Sequence, residues 1–400
     1  MSNTTPATEH EPPLALVLLL AVAAGLGVAA LYYNQPILNL LAASFNASPA
    51  AIGWVPTLTQ IGYAIGILFL SPAGDRVDRR NMIVAKAWVL SVLLLGMAAA
   101  QSLAQLCALS VGVGIAASLA QDCVPAAATM APDARRGKIV GMVMMGLLLG
   151  ILLSRVVSGV VGQFLGWRVM FAIAAVLMAM LAVVVARRLP HFAPSTTLPY
   201  MSLLASLGTL WRRHADMRRA ALAQCCLSAS FSAFWSTLAV MLHQPPFGLG
   251  SSVAGAFGLI GAAGALAAPV AGGISDRHGP ERVTRIGTLL VFASFAALAV
   301  WPGSLWLLVL ATVVFDLGMQ ATLIGHQTII YSLDSAARAR LNALLIGAMF
   351  VGMASGSAAG SQMLDHFGWR GVCLFAATAA LAAFTVRMWP HGGQAKPTAA

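Results

Sequence analysis

Twelve apolar runs, each long enough to cross a bilayer, fill this 400-residue chain and leave little to fold outside them. They begin near Leu14, Ala51, Met82, Ala104, Ile139 and Val169, and again near Ala220, Val253, Val283, Leu305, Asn342 and Gly371. A spanning helix takes about 20 apolar residues, so twelve consume about 240. Hydrophobic residues are 59% of the chain and charged residues only 9%, whereas a soluble domain is about 25% charged. Disordered and collagen-like chains are poor in apolar residues or strictly repetitive, and are excluded as well. The expected fold class is therefore an all-α membrane protein with twelve transmembrane helices.

The net charge of +11 does not point to nucleic acid, because the basic residues form short clusters between apolar runs rather than one face with interleaved aromatics. The longest polar stretch, Arg187–Arg219, carries Arg187, Arg188, Arg212, Arg213, Arg218 and Arg219 against a single acid, Asp216. It divides the chain into an N-terminal six-helix unit (1–186), a linker (187–219) and a C-terminal six-helix unit (220–400). With the N-terminus inside, 20 of the 23 Lys and Arg fall on the inner side, only Arg168 and Arg370 fall outside, and Arg155 lies within a span. That bias predicts cytoplasmic termini and a cytoplasmic linker. The first dozen residues lack Lys and Arg, so the first run reads as a retained helix rather than a cleaved signal.

The two halves repeat. Gly74-Asp75-Arg76-Val77-Asp78-Arg79-Arg80 has a counterpart in Ser275-Asp276-Arg277-His278-Gly279-Pro280-Glu281-Arg282, and Gly166-Trp167-Arg168 recurs as Gly368-Trp369-Arg370. The aspartates stand 201 residues apart and the tryptophans 202. Two landmarks sharing an offset of half the chain mark a duplicated six-helix unit.

Twelve spans, a basic central linker and paired acidic-basic loops after the second and eighth runs resemble the major facilitator superfamily. Its loop signature runs roughly Gly-x-Leu-Ala-Asp-Arg-x-Gly-Arg-Arg. Gly272-Gly273-Ile274-Ser275-Asp276-Arg277-His278-Gly279 matches closely. The first copy keeps Asp75, Arg76, Arg79 and Arg80 but has Ser71 and Asp78 where glycines are usual. Drug:proton antiporters of the family carry Gly-x-x-x-Gly-Pro-x-x-Gly-Gly on the fifth helix. Here that stretch reads Gly150-Ile151-Leu152-Leu153-Ser154-Arg155-Val156-Val157-Ser158-Gly159, with Arg155 in place of proline. This variant, and Tyr32-Tyr33-Asn34-Gln35-Pro36 after the first run, resemble the bacterial arabinose and sugar-efflux branch. An arginine common on the fourth helix of proton antiporters would fall at position 108, which is Ala108.

The resemblance implies secondary active transport by two pseudo-symmetric bundles in a bacterial inner membrane. The expected function is proton-coupled efflux of a small drug- or sugar-like solute by a monomer. An importer or uniporter of the same fold is the alternative, and a non-transporting membrane sensor a more distant one. Asp75, Arg76, Arg79 and Arg80, with Asp276, Arg277 and Gly279, are the candidate latch of an inner gate.

Intramembrane ionisable groups are functional candidates by default. At 1.5 Å per residue, Asp316 lies near the middle of the core, about 16 Å past Leu305. Asp122 and His326 are expected near the inner surface, and Arg155 is able to snorkel outward, about 10 Å from Asp316 in depth. Asp316, Asp122 and His326 are the proton-coupling candidates. Asn34, Gln35, Gln60, Gln121 and Gln320, with Thr57, suit an uncharged or weakly charged solute, and Phe231, Phe234 and Trp235 offer a stacking surface. The stripes Gly146, Gly150, Ser154, Ser158 and Gly352, Gly356, Gly360 permit close helix approach, either as static packing or as sliding contacts between halves. The five cysteines lie in apolar stretches without metal-ligand spacing, and Gly112-Val113-Gly114 sits inside a span with no preceding strand. No cofactor, metal or enzymatic constellation is expected.

Overall fold

The computed structural model describes residues 12–132, 135–194, 196, 199–261, 273, 277–334 and 337–389. The described residues are helical throughout, with short connections. The first half comprises α1 (Leu14–Ala29), α2 (Leu38–Phe45), α3 (Pro49–Ile52), α4 (Trp54–Ile65), α5 (Arg79–Ala99), α6 (Leu103–Ala117), α7 (Leu119–Met130), α8 (Arg136–Leu165) and α9 (Trp167–Arg188). The linker folds as α10 (Tyr200–Arg213). The second half comprises α11 (Ala215–His243), α12 (Ser251–Gly261), α13 (Pro280–Val300), α14 (Leu305–Tyr331) and α15 (Arg338–Met388). Among the described residues nine helices are long and apolar enough to cross a membrane, and α1 and α12 are apolar but shorter. Each of the twelve apolar runs read from the sequence starts on one of these helices.

The duplication is visible in backbone geometry. Gly166 separates α8 from α9 at φ +92°, and Gly368 breaks the 51-residue α15 at φ +63°. Both need a conformation that a side chain disfavours, and both reverse the chain before a tryptophan. The two loops after the second and eighth runs diverge at one equivalent position. Gly279 takes φ +83° ahead of Pro280, whereas Asp78 keeps φ −58° and caps α5 with its carboxylate, accepting from the Arg80 N–H at 3.0 Å.

Lipid tails are as apolar as leucine, so helices here associate through close packing rather than through a hydrophobic force. The small-residue stripes supply it, but inside each bundle. A Cβ on Gly146 or Gly150 would collide with the backbone of Ala21 or Gly25 on α1, and one on Gly352, Gly356 or Gly360 with Cys225, Ala229 or Ala233 on α11. Ser154 bonds back to Ile151, and Ser158 donates to the Tyr33 carbonyl. The sliding-contact alternative for these stripes is therefore corrected. Across the divide, Gly159 of α8, one position past Ser158 and so about 100° around the helix, packs against Ser251 and Gly255 of α12. Leu149, Leu153, Val157, Val160 and Phe164 form the exposed apolar stripe of α8, fit for lipid.

The amphipathic α10 ties the halves together at one end. Leu210 packs with Met217, Ile330 and Leu341 of the second half, while the Tyr200 hydroxyl donates to the Phe69 carbonyl of the first at 2.6 Å. This linker end fixes the direction in which the central cavity opens.

Candidate functional site

A cavity of about 520 Å³ lies between the two bundles. At the linker end it is lined by Val124, Val140, Gln327, Tyr331 and Asn342, all half-buried; Tyr331 ends α14 and Asn342 lies near the start of α15. At the opposite end it stops at Tyr32, Arg155 and Asp316, all buried. Beyond them the halves close on each other. Ser251 Oγ donates to Asn39 Oδ1 at 2.8 Å, the Ser252 N–H to Gln163 Oε1 at 2.8 Å, and Ser357 Oγ reaches the Gly53 carbonyl at 3.4 Å. The cavity is thus accessible from the linker side and sealed on the other.

Arg155 sits at that seal, only 3% exposed, so the snorkelling expectation is corrected. Its guanidinium carbon lies 4.7 Å from the Tyr32 ring centre and 4.0 Å from that of Trp235, one aromatic from each half. Nε donates to Gln35 Oε1 at 3.1 Å, and Nη2 has no protein acceptor. The glycine face of α12 makes room for the side chain: a Cβ on Gly258 would stand 3.0 Å from the Arg155 Cβ. A desolvated cation over a ring contributes about 2 kcal/mol, enough to hold the planar group where a flexible ammonium would not stay. Arg155→Lys keeps the charge but loses the fork and the stacking. Solute transport by that variant, measured as initial rate at equal protein level, is expected to fall about tenfold or more; an unchanged rate would reduce Arg155 to a mere charge.

Asp316 projects from α14 into the same cavity and is 6% exposed. A side chain at Gly261 would crowd it, with a Cβ 2.5 Å from Oδ2. Its carboxylate interacts electrostatically with Arg155, yet no hydrogen bond or ion pair joins the two. Both charges therefore face the cavity without saturating each other. The depth count separated them by about 10 Å because it began at Lys138. The 30-residue α8 is about 45 Å long at 1.5 Å per residue, longer than a ~30 Å core, so its start lies outside that core.

Of the uncharged candidates, Gln121, Gln320 and Phe231 line the cavity. Gln121 Nε2 donates to the Tyr63 hydroxyl at 3.1 Å. Gln35 and Trp235 back Arg155 from a small neighbouring void. Asn34 and Gln60 do not line the cavity. Asn34 donates to Thr59 Oγ1 at 3.3 Å, and Gln60 bridges the halves by donating to Ser232 Oγ at 3.1 Å. Tyr63 and Gln224 also line it, though nothing in their sequence spacing marks a face, and so does Tyr32 of the Tyr32–Pro36 stretch.

The other two acid-base candidates are engaged elsewhere. Asp122 is buried and ion-paired with Lys86 at 2.7 Å. Lys86, counted among the inner-surface cations, is itself buried in α5. His326 is fully buried; its Nδ1 meets Gln224 Oε1 at 2.9 Å, and among the described residues its Nε2 has no partner.

Around the loops, Arg80 bonds His191 and the Ala186 carbonyl, and His191 bonds Asp78. Shifted by 201 residues, the Arg80–Ala186 pair becomes Glu281–Arg387, which is an ion pair. The same helix ends are tied in both halves with different chemistry. Arg79 packs near Gly74 beside Asp122, and Arg76 and Arg277 are exposed. Asp75 ends a turn at Pro72–Asp75; its side chain, and Asp276, lie outside the described residues. Burial raises the Asp78 pKa, but hydrogen bonds from His191 and from the Phe192 and Arg80 N–H groups outweigh this and hold it below the ordinary value. A depressed folded pKa adds stability above the unfolded value and loses it as pH falls through the folded one. Asp78→Ala is expected to cost about 1 kcal/mol at neutral pH, read from unfolding of the solubilised protein. The gap from wild type should close on acidification.

Two repeated helical bundles around a central charged cavity, accessible from one side and sealed on the other, define a membrane transporter. The chain belongs to the Major Facilitator Superfamily, whose sequence profile matches residues 17–267 and 220–398. It is 41% identical over 374 residues to uncharacterized transporter YgaY of Escherichia coli O157:H7, covering 93% of this chain and 94% of that one. It is 33% identical over 386 residues to probable transporter SCO4007 of Streptomyces coelicolor, covering 94% and 89%. In structure it is similar to a mutant of the nucleoside transporter NupG, with TM-score 0.79, 15% identity, and coverage of 93% and 99%.

Proposed function

We propose that this protein exports a small organic solute from the cytoplasm in exchange for protons, alternating access to the cavity between its bundles. The observation that carries the reading is Asp316, an unpaired acid at the sealed end of a cavity that also holds Arg155. Intramembrane carboxyls are retained where they handle ions or protons. One that moves between a hydrated and a dehydrated setting holds a proton in the dehydrated state, where the carboxylate is disfavoured, and releases it in the hydrated one. Alternating access supplies those two settings in turn.

The Lys and Arg bias supports a cytoplasmic linker and termini, which makes this state inward-facing. The close approach of Gly159 to Gly255, with a few side-chain hydrogen bonds beside it, supports a far-side seal able to part. Asp122, held by Lys86, serves the inner charge network rather than the proton path.

Everted membrane vesicles with an acid interior test the reading. A diverse solute panel is expected to contain a compound that accumulates several-fold above equilibrium and is released by a protonophore. Equilibration without accumulation would make the protein a uniporter. Uphill movement only in right-side-out vesicles would make it an importer.

A further inference from the structure

Resting on that transport reading, we infer that the solute is a zwitterion: a small molecule with a carboxylate, an ammonium and an apolar remainder, of which an apolar amino acid is the simplest. Among the described residues, the charged lining of the cavity is one cation, Arg155, and one anion, Asp316. Neither is satisfied by the other, since no hydrogen bond or ion pair joins them.

Arg155 is held in one orientation. The Tyr32 and Trp235 rings both lie against the guanidinium, Gln35 takes Nε, and among the described residues the buried Nη2 has no acceptor. A guanidinium edge fixed in this way matches a carboxylate. Among the described residues Asp316 accepts no hydrogen bond, and a carboxylate with open lone pairs matches an ammonium.

The rival solute classes each leave a charge stranded. An organic monoanion would pair with Arg155 and leave Asp316 dehydrated and alone. An organic cation would do the reverse, and a neutral sugar would satisfy neither ion. A guanidinium left uncompensated, or a carboxyl that must take up a proton for want of a cation, costs binding free energy, so each rival loses affinity that a zwitterion keeps. The remaining lining is largely apolar, and Met144, Met319 and Met353 give it an adaptable thioether surface for side chains of different shape. The cavity exceeds any single amino acid in volume, so selectivity would come from the two charged ends rather than from a tight side-chain pocket.

The test is calorimetric titration of the full-length protein in detergent at near-neutral pH. The probes are L-leucine, N-acetyl-L-leucine (no ammonium), isoamylamine (no carboxylate) and arabinose. Leucine is expected to bind at least tenfold more tightly than either single-charge analogue, the loss of one charge-assisted bond, and arabinose not measurably. In Arg155→Gln the advantage of leucine over isoamylamine should vanish, and in Asp316→Asn its advantage over N-acetyl-leucine. Equal binding of leucine and a single-charge analogue to the unmodified protein would overturn the inference, as would arabinose binding or an absence of leucine binding. Gradient-driven transport of some other solute in vesicles would then leave the transport reading standing while the zwitterion assignment fell.

Discussion

Replacing Asp316 with asparagine is expected to abolish gradient-driven accumulation while solute exchange persists. The amide occupies the same space beside Gly261 but neither binds nor releases a proton, so the solute gradient should collapse to equilibrium. Exchange of labelled for unlabelled solute requires only the alternation of the cavity. It should continue, with about tenfold more solute needed if the carboxylate also holds an ammonium. Among the described residues Asp316 accepts no hydrogen bond, so protein level and thermal stability should stay near wild type. Accumulation at the wild-type ratio in everted vesicles would remove Asp316 from the proton path. Loss of folded protein would instead make it a packing residue.

The largest effect on stability is expected at Lys86. Its ammonium pairs with Asp122 at 2.7 Å, with both side chains under a tenth exposed. Removing one member of a buried pair typically costs about 3–5 kcal/mol, because the remaining charge loses its compensation in a low dielectric. Lys86→Met should therefore lower the yield and the unfolding temperature of the solubilised protein sharply. Adding Asp122→Leu should recover most of that loss, since an apolar pair of similar volume is nearly neutral relative to a buried ion pair. A single variant as stable as wild type would show that Asp122 is hydrated or held by other groups, Arg79 among them.

The pattern of these outcomes reflects what a sequence can carry. Length and charge spacing are one-dimensional, and they located the helices. Gly166 and Gly368, found by their offset, both adopt positive φ where the chain reverses. Azimuth was not legible. Gly150 and Gly159 lie on one helix nine residues apart, yet one faces α1 of its own bundle and the other faces α12 across the divide. Every residue turns the helix by about 100°, and without partners nothing marks which face meets which. Depth failed for a related reason at Arg155, because α8 extends beyond the apolar core and counting from its start placed the residue too near the outer surface. Lys86 and Asp122 were each visible as a lone charge in or near an apolar run. Their pairing was not, since 36 residues and a helix reversal separate them.

The central claim is that the seal beyond Arg155 and the opening at the linker end exchange places. Pulsed electron-spin distances test it most directly. One pair of labels on Phe164→Cys and Ser252→Cys would span the far-side seal, and another on Lys138→Cys and Ala339→Cys the linker-side opening. In proteoliposomes the far-side distance should be short in the state described here, and a proton gradient with solute should populate a longer one. The linker-side distance should shorten in the same proportion. Distances that stay single, or that lengthen together at both ends, would contradict alternating access.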